Sequence, residues 1–177
     1  AGLIATGGWL LPGTAERVAA APALVRPTGL LLTLAALAFA GLLAEEAMTD
    51  WSTVFLRFAR GLSEAAAAGG YAAYAAAMAV GRLIGDRLVQ ALGPARLIRA
   101  GALFAAGGLA LAIASPWAGA AIIGFAAVGF GIANTMPLLF GAAGRAQGGK
   151  AGHGIAVVAT AAYGAFTFLR DAQMQPL

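Results

Sequence analysis

Long apolar runs, separated by short polar segments, constrain this chain more than any other feature of its sequence. Four runs cover residues 29–57, 65–85, 97–114 and 118–143, and a fifth covers residues 154–169. A helix of about 20 residues crosses the hydrocarbon layer of a bilayer, which is about 30 Å thick. Blocks of this length are too long for the core helices of a soluble domain. The sequence therefore predicts an all-α bundle of transmembrane helices.

The composition agrees with a polytopic membrane protein that forms a single transmembrane domain over residues 1–177. Hydrophobic residues make up 61% of the chain and charged residues only 10%, whereas a soluble domain is nearer half apolar and a quarter charged. The absence of cysteine excludes disulfides and cysteine–zinc sites. The net charge of +4 is spread over loops and forms no basic face with interleaved aromatic residues, so nucleic acid is not an expected partner.

The two ends of the chain resemble parts of longer segments. Residues 1–11 are apolar but too short to span a bilayer, and we interpret them as the tail of a helix. No basic region precedes this stub, so a signal peptide is not predicted. The run at residues 154–169 is followed by Arg170, Asp171 and a polar tail, which we expect to end the last helix. We therefore expect a fragment of a larger protein.

The distribution of cations predicts which loops face the cytoplasm, because Lys and Arg resist translocation. Alternate loops carry eight cations on one side of the predicted membrane and three on the other. The loops at residues 86–96 and 144–153 belong to the richer side and are predicted to be cytoplasmic. The eight cations are Arg17, Arg26, Arg82, Arg87, Arg96, Arg99, Arg145 and Lys150, and the three are Arg57, Arg60 and Arg170.

Three acids, Glu45, Glu46 and Asp50, lie in the first long run, beside Trp51. Carboxylates are costly in lipid and usually face the interior of a bundle or a water-filled cavity. A neighbouring carboxylate and an apolar environment both favour the protonated form of such a group. The nearest cation in the same run is Arg57, near its end. We therefore expect these acids to couple protons to a function, the alternative being a solvated outer rim.

The run at residues 118–143 contains Asn134 and Pro137. Proline removes a backbone donor and can kink a helix, which frees carbonyl groups to face a cavity. Asn134 is therefore a candidate cavity residue, and it could equally form a hydrogen bond to a neighbouring helix. Tyr71 and Tyr74, one turn apart in the second long run, are interpreted as packing residues rather than ligand contacts.

Enzyme chemistry has little support in the sequence. No Ser-His-Asp arrangement and no cluster of metal ligands is visible, so neither a catalytic site nor a cofactor is expected. Residues 144–150 match the first part of a phosphate-binding loop, but Ala151 stands where Ser or Thr would hold magnesium.

The segment between the second and third long runs resembles the signature loop of the major facilitator superfamily of secondary transporters. The matching residues are Gly85, Asp86, Arg87 and Gly93, followed by two further arginines. The late second glycine is similar to the copy of this loop in the C-terminal half of the fold. The resemblance implies that the chain runs from the end of helix six to a truncated helix eleven. We expect Asp86, which is four residues from Arg82, to hold the loop against a neighbouring helix end.

The resemblance implies a secondary active, proton-coupled carrier of small polar solutes such as sugars, in a bacterial inner membrane, with the N-terminal half of the carrier as its partner. Glu45, Asp50 and Trp51 resemble the acidic end of helix seven in fucose-permease-like members, where glycine usually replaces Glu46. Helix geometry instead pairs Glu46 with Asp50, so Asp50 is the candidate that both arguments share. The competing interpretation is a membrane assembly protein that transports nothing.

Overall fold

The computed structural model of the chain describes residues 29–146 and 151–174, which form seven helices and no strand. The all-α bundle predicted from the sequence is confirmed, whereas the stub at residues 1–11 lies outside the described residues. The helices are α1 (Gly29–Phe58), α2 (Glu64–Leu83), α3 (Gly85–Leu92), α4 (Pro94–Ala114), α5 (Ala118–Ile132), α6 (Thr135–Ala146) and α7 (Ala151–Met174).

Three segments are long and apolar enough to cross a bilayer, and together they identify a multi-pass membrane protein. They are Gly29–Phe58, Pro94–Ala114 and Ala118–Ala146, the last comprising α5 and α6. α7 contains a shorter apolar stretch, Gly152–Phe168. α2 has 20 residues but consists mostly of alanine and glycine, which are less hydrophobic than leucine and isoleucine.

α5 is the central helix of the bundle and packs between α2 and α4, while α1 packs against α2, α6 and α7. Glycine sets the distance between α4 and α5. A methyl group on Gly108 would overlap the carbonyl oxygen of Gly124, and one on Gly101 would overlap that of Gly131. Small residues permit this close approach, which maximises van der Waals contact between helices that cannot rely on the hydrophobic effect in lipid.

The buried side chains form two apolar clusters that share α1. One cluster joins Met48 and Leu56 to α2, α4 and α5, and the other joins residues Leu31 to Leu42 to α6 and α7. Glu45 and Glu46 lie on α1 between Leu42 and Met48, and therefore at the seam where one cluster gives way to the other.

The segment predicted as a loop at residues 86–96 is largely helical, so that prediction was wrong over most of its length. α3 covers Gly85–Leu92, because Leu88 and Leu92 are one turn apart and line an apolar pocket against α4. Gly93 ends α3 with a φ of 75°, in the region that favours glycine. Pro94 then begins α4, where its missing N–H costs no helical hydrogen bond.

The last two apolar runs also differ from their predicted forms. The run at residues 118–143 divides into α5 and α6 at Ala133 and Asn134 and continues to residue 146. α7 begins at Ala151 and continues through Arg170 and Asp171, which were expected to end it. The charged pair does not stop the helix because Arg is a good helix former and neither glycine nor proline follows before residue 174. Residues 147–150 of the predicted cytoplasmic loop lie outside the described residues.

Candidate functional site

The three acids of α1 face two different neighbours. Successive residues of a helix are about 100° apart, so Glu45 points away from the direction that Glu46 and Asp50 share. Glu45 faces α2, where its Oε1 lies 3.9 Å from Nη2 of Arg82. Glu46 and Asp50 line a pocket between α1 and α7 together with Trp51. The structure thus brings Glu46 and Asp50 together and separates Glu45 from both.

Arg82 is a site residue that sequence reasoning missed, because it was assigned to a cytoplasmic loop. It lies in the last turn of α2, and its guanidinium reaches α1 and α5. The first long run carries no cation near the acids, but Arg82 of α2 contacts Glu45 from a neighbouring helix. Arg82 forms no ion pair with Asp86, four residues further on, since the ion pairs formed by the described residues do not include Asp86. A neighbouring helix offered Arg82 a partner that sequence spacing could not reveal.

The break between α5 and α6 has an identifiable cause and a specific set of partners. Pro137 has no N–H, so the carbonyl of Ala133, four residues earlier, lacks its helical donor. Nε of Arg82 donates a hydrogen bond to that carbonyl at 3.4 Å. In return, Nδ2 of Asn134 donates to the carbonyl of Gly81 at 2.9 Å. We name these two reciprocal hydrogen bonds the α2–α5 clasp.

Two glycines of α2 and α3 make room for the α2–α5 clasp. A Cβ on Gly81 would lie 2.8 Å from Cβ of Ala133. At Gly85 the side chain of Asn134 occupies the space that a Cβ would need. Asn134 therefore forms a hydrogen bond to a neighbouring helix, which was one of its two predicted uses, and its position explains why glycine stands at residue 85.

The pocket between α1 and α7, which we name the α1–α7 pocket, has a volume of about 250 Å³. Neither Glu46 nor Asp50 takes part in the ion pairs of the described residues. The pocket is also lined by Trp51, which is 65% exposed, and by Phe166 and Arg170. Because ionised carboxylates are costly against lipid, this surface fits contact with water or with another polar surface.

A second concave surface follows one face of α2 from its middle to its last turn. This open surface, the α2 groove, has a volume of about 550 Å³. The rings of Tyr71 and Tyr74 have centroids 6.0 Å apart, and Tyr74 is only 4% exposed. The interpretation of the tyrosines as packing residues is confirmed for Tyr74, which belongs to the buried apolar cluster, whereas Tyr71 is 41% exposed. Their spacing places both on the same helix face as Arg82. The groove is lined by Tyr71, Tyr74, Ala75, Met78, Ala79, Arg82 and Leu83.

The remaining candidates of the signature loop lie away from the acids. Asp86 and Arg87 are exposed in the first turn of α3, and Gly93 ends that helix. Within residues 29–146 and 151–174, no group of three or more His, Cys, Asp and Glu side chains could hold a metal ion.

Comparison with curated proteins finds relatives that are named as transporters or membrane proteins. The chain is 44% identical over 142 residues to an uncharacterized MFS-type transporter of Yersinia pestis. It is 37% identical over 144 residues to an uncharacterized transporter of Sinorhizobium fredii, and 31% identical over 110 residues to the membrane protein MosC of Rhizobium meliloti. No family model and no solved structure matches the chain.

These matches cover most of this chain but a smaller part of each relative. They include 80%, 81% and 62% of the chain, in the same order, and 37%, 38% and 27% of the relatives. The chain thus spans about a third of the length of the curated relatives that it matches.

Proposed function

We propose, from the premise that this chain belongs to the major facilitator superfamily, that it is part of a proton-coupled secondary carrier of small polar solutes. Carriers of this fold move a solute by rocking two helical halves about a site near the middle of the membrane. Since the chain spans about a third of its relatives, we propose that an N-terminal half completes the carrier. A bacterial inner membrane is the location that fits this activity.

The contact between Glu45 and Arg82 is the observation that supports proton coupling best. Protonation of Glu45 would remove the negative charge beside Arg82, which also donates to the carbonyl at the break between α5 and α6. A proton on α1 would therefore change the forces on a contact that joins α2 to α5. Glu46 and Asp50 are further candidates, because their carboxylates share a pocket without an ion pair to the described residues.

The α1–α7 pocket fits a polar solute with hydroxyl groups. Its carboxylates can accept hydrogen bonds, and the exposed ring of Trp51 offers a face on which a sugar could stack. A sugar is the solute class that the family resemblance suggests. The competing interpretation, a membrane protein that assembles with other proteins and transports nothing, has weaker support. It would use glycines to approach a partner closely, but the glycines of α4 and α5 already contact each other within the chain.

Uptake into liposomes that contain the complete carrier tests the coupling. With an imposed inward proton gradient, Glu45→Gln is expected to abolish uphill accumulation while exchange of the solute across the membrane continues. Asp50→Asn, at the acid that both sequence arguments share, and Glu46→Gln are measured in parallel. Glu64→Gln serves as a control because Glu64 is exposed and lines none of the pockets described. Normal accumulation by all three acid variants would mean that these carboxylates are a solvated rim.

A further inference from the structure

We propose that the α2 groove binds a small organic carboxylate, which takes the place of Glu45 beside Arg82 when Glu45 is protonated. This inference rests on the proposed carrier function, and it assigns the carrier a carboxylate solute at the α2 groove instead of a sugar at the α1–α7 pocket.

Arg82 has hydrogen-bond donors to offer to such a ligand. Its Nε is occupied by the Ala133 carbonyl, and its Nη2 lies 3.9 Å from Glu45. A charge-assisted hydrogen bond is much shorter, about 2.7–2.9 Å. The side chain is 53% exposed and lines the groove. The planar guanidinium can therefore present a pair of N–H groups to a carboxylate in the groove.

Tyr74 offers a second polar group to a ligand in the groove. Its ring is buried in the apolar cluster of α1, α2, α4 and α5, and the residue lines the groove. The long-range side-chain hydrogen bonds among the described residues come from Arg60, Arg82 and Asn134, and none involves the Tyr74 hydroxyl. That hydroxyl is not among the buried polar atoms that lack a partner, so it is open to the groove. A ligand beside Arg82 can therefore form a hydrogen bond with Tyr74 in place of water.

The rest of the groove favours an organic anion over an inorganic one. Ala75, Met78 and Ala79 form apolar walls, and the exposed ring of Tyr71 lies beside that of Tyr74. Aromatic and aliphatic surfaces bind the carbon skeleton of a solute and have no favourable contact for a strongly hydrated ion. The groove therefore combines one oxyanion position with a surface for a small carbon body.

Charge balance explains why one proton would accompany one carboxylate. Without solute, ionised Glu45 and Arg82 form a neutral pair. Binding of the carboxylate alone would leave one excess negative charge, and protonation of Glu45 alone would leave one excess positive charge. Either excess is costly in a site of low dielectric constant. When both bind, the carboxylate neutralises Arg82 and Glu45 is uncharged, so the loaded site is again neutral.

The groups around Glu45 agree with this exchange. α2 contributes Arg82, and Tyr74 lies about two turns before Arg82 on the same face of that helix. Glu46 is the nearest acid on the same helix. α5 and α6 contribute the uncharged groups of Ala133 and Asn134 at their junction, and Arg170 of α7 lies in the α1–α7 pocket. Within the described residues, Arg82 is thus the cation that Glu45 faces.

The test measures uptake of radiolabelled acetate, lactate, gluconate, benzoate and phenylacetate by liposomes containing the complete carrier. Each acid is compared with its uncharged amide, and glucose and inorganic phosphate are added as further probes. Uptake by protein-free liposomes is subtracted, because the uncharged forms of these weak acids cross a bilayer unaided and accumulate passively under an inward proton gradient. Above this background, we expect at least one carboxylate to accumulate and its amide not to accumulate. Because the loaded site is neutral, an electrical potential imposed with potassium and valinomycin should leave this uptake unchanged.

Other outcomes separate this inference from the proposed carrier function. Proton-driven accumulation of glucose or an amide, stimulated by an inside-negative potential, would overturn the carboxylate site and leave the carrier function standing. Proton-driven uptake of phosphate alone would also overturn it. Absence of proton-driven uptake for every probe counts against both proposals.

Variants of the groove give the second part of the test. Arg82→Gln should lower carboxylate uptake at least about tenfold, since a charge-assisted contact is lost, whereas Arg57→Gln on the exposed end of α1 should not change it. Glu45→Gln should keep carboxylate exchange but lose its acceleration at low pH. If Glu45→Gln showed the same pH profile as the unmodified carrier, the proposal that a carboxylate replaces Glu45 beside Arg82 would be overturned.

Tyr74→Phe keeps the inference testable if Arg82→Gln does not fold. Loss of the hydroxyl should raise the KM for the carboxylate about threefold to tenfold and leave kcat unchanged. Tyr163→Phe, the same change at an exposed position of α7, is the matched control. An unchanged KM in Tyr74→Phe would contradict the assignment of this hydroxyl to the ligand.

Discussion

Two faces of α1 carry acids in opposite electrostatic situations. On the face toward α2, Glu45 has a cation at 3.9 Å, and that cation also reaches the break between α5 and α6. On the face toward α7, Glu46 and Asp50 share a pocket and form no ion pair with the described residues. A proton on Glu45 can therefore alter a contact between helices, whereas Glu46 and Asp50 have no such contact with the described residues.

Adjacent acids on one helix therefore need not share a role. Glu45 and Glu46 are neighbours in the sequence, but the rotation of about 100° between them assigns them to different partners.

The last turn of α2, which carries Arg82, is predicted to lie on the cytoplasmic side of the membrane. Thiol labelling tests this orientation with an all-or-none result. In an otherwise cysteine-free carrier, Ser63→Cys at the start of α2 should react with an impermeant thiol reagent in intact cells. Gln90→Cys on α3 should react only after the membrane is opened, because the cation count places this segment inside. Labelling of residue 90 but not residue 63 in intact cells would reverse the orientation.

A charge reversal should affect the α2 face of α1 more than the α7 face. Arg82→Glu places two carboxylates together and removes the donor to Ala133, so transport should fall at least about tenfold. The double change Glu45→Arg with Arg82→Glu should recover part of the rate by restoring a neutral pair. Arg170→Glu should lower the rate less than Arg82→Glu does, because Arg170 lines the α1–α7 pocket but is exposed and forms no ion pair with the acids of α1. Equal losses from the two single reversals would contradict the comparison.

Removal of Pro137 should straighten the helix beside the α2–α5 clasp. Pro137→Ala supplies an N–H to the Ala133 carbonyl, which then no longer depends on Arg82. Spin labels at residues 118 and 146 should move apart toward about 42 Å, the length of a continuous helix between them. Pro94→Ala, at the first position of α4, should leave this distance unchanged. An unchanged distance in Pro137→Ala would show that helix packing, not proline, causes the break.

The smallest effect is expected at Asp86, outside both faces of α1. Its carboxylate lies in the first turn of α3, where it interacts favourably with the helix dipole. Asp86→Asn should lower the transport rate about twofold and leave the KM unchanged, consistent with a contribution of roughly 0.3–1 kcal/mol. Gln90→Ala on the same short helix is the control. An unchanged rate would remove Asp86 from the conformational cycle.

Much of the bundle could be predicted from the sequence because the controlling signals are local. The length of the apolar runs predicted helices, and the spacing of Glu46 and Asp50 predicted their common face. Pro137 predicted a kink, since a missing N–H affects a carbonyl at a known position on the same helix. The short helix α3 was missed because its eight residues contain only isolated apolar positions, a pattern that is also typical of a loop. Its helical form becomes evident only from its packing against α4.

Local signals in the sequence predict the helical class, the positions of most helices and the presence of acids within an apolar helix. Contacts between helices are a different matter: Arg82 meets Glu45 rather than Asp86, and Asn134 reaches Gly81. These contacts join residues up to 53 positions apart. They depend on how α1, α2 and α5 are rotated and on how closely glycine lets them approach. Local spacing specifies neither quantity, because both arise from packing between helices.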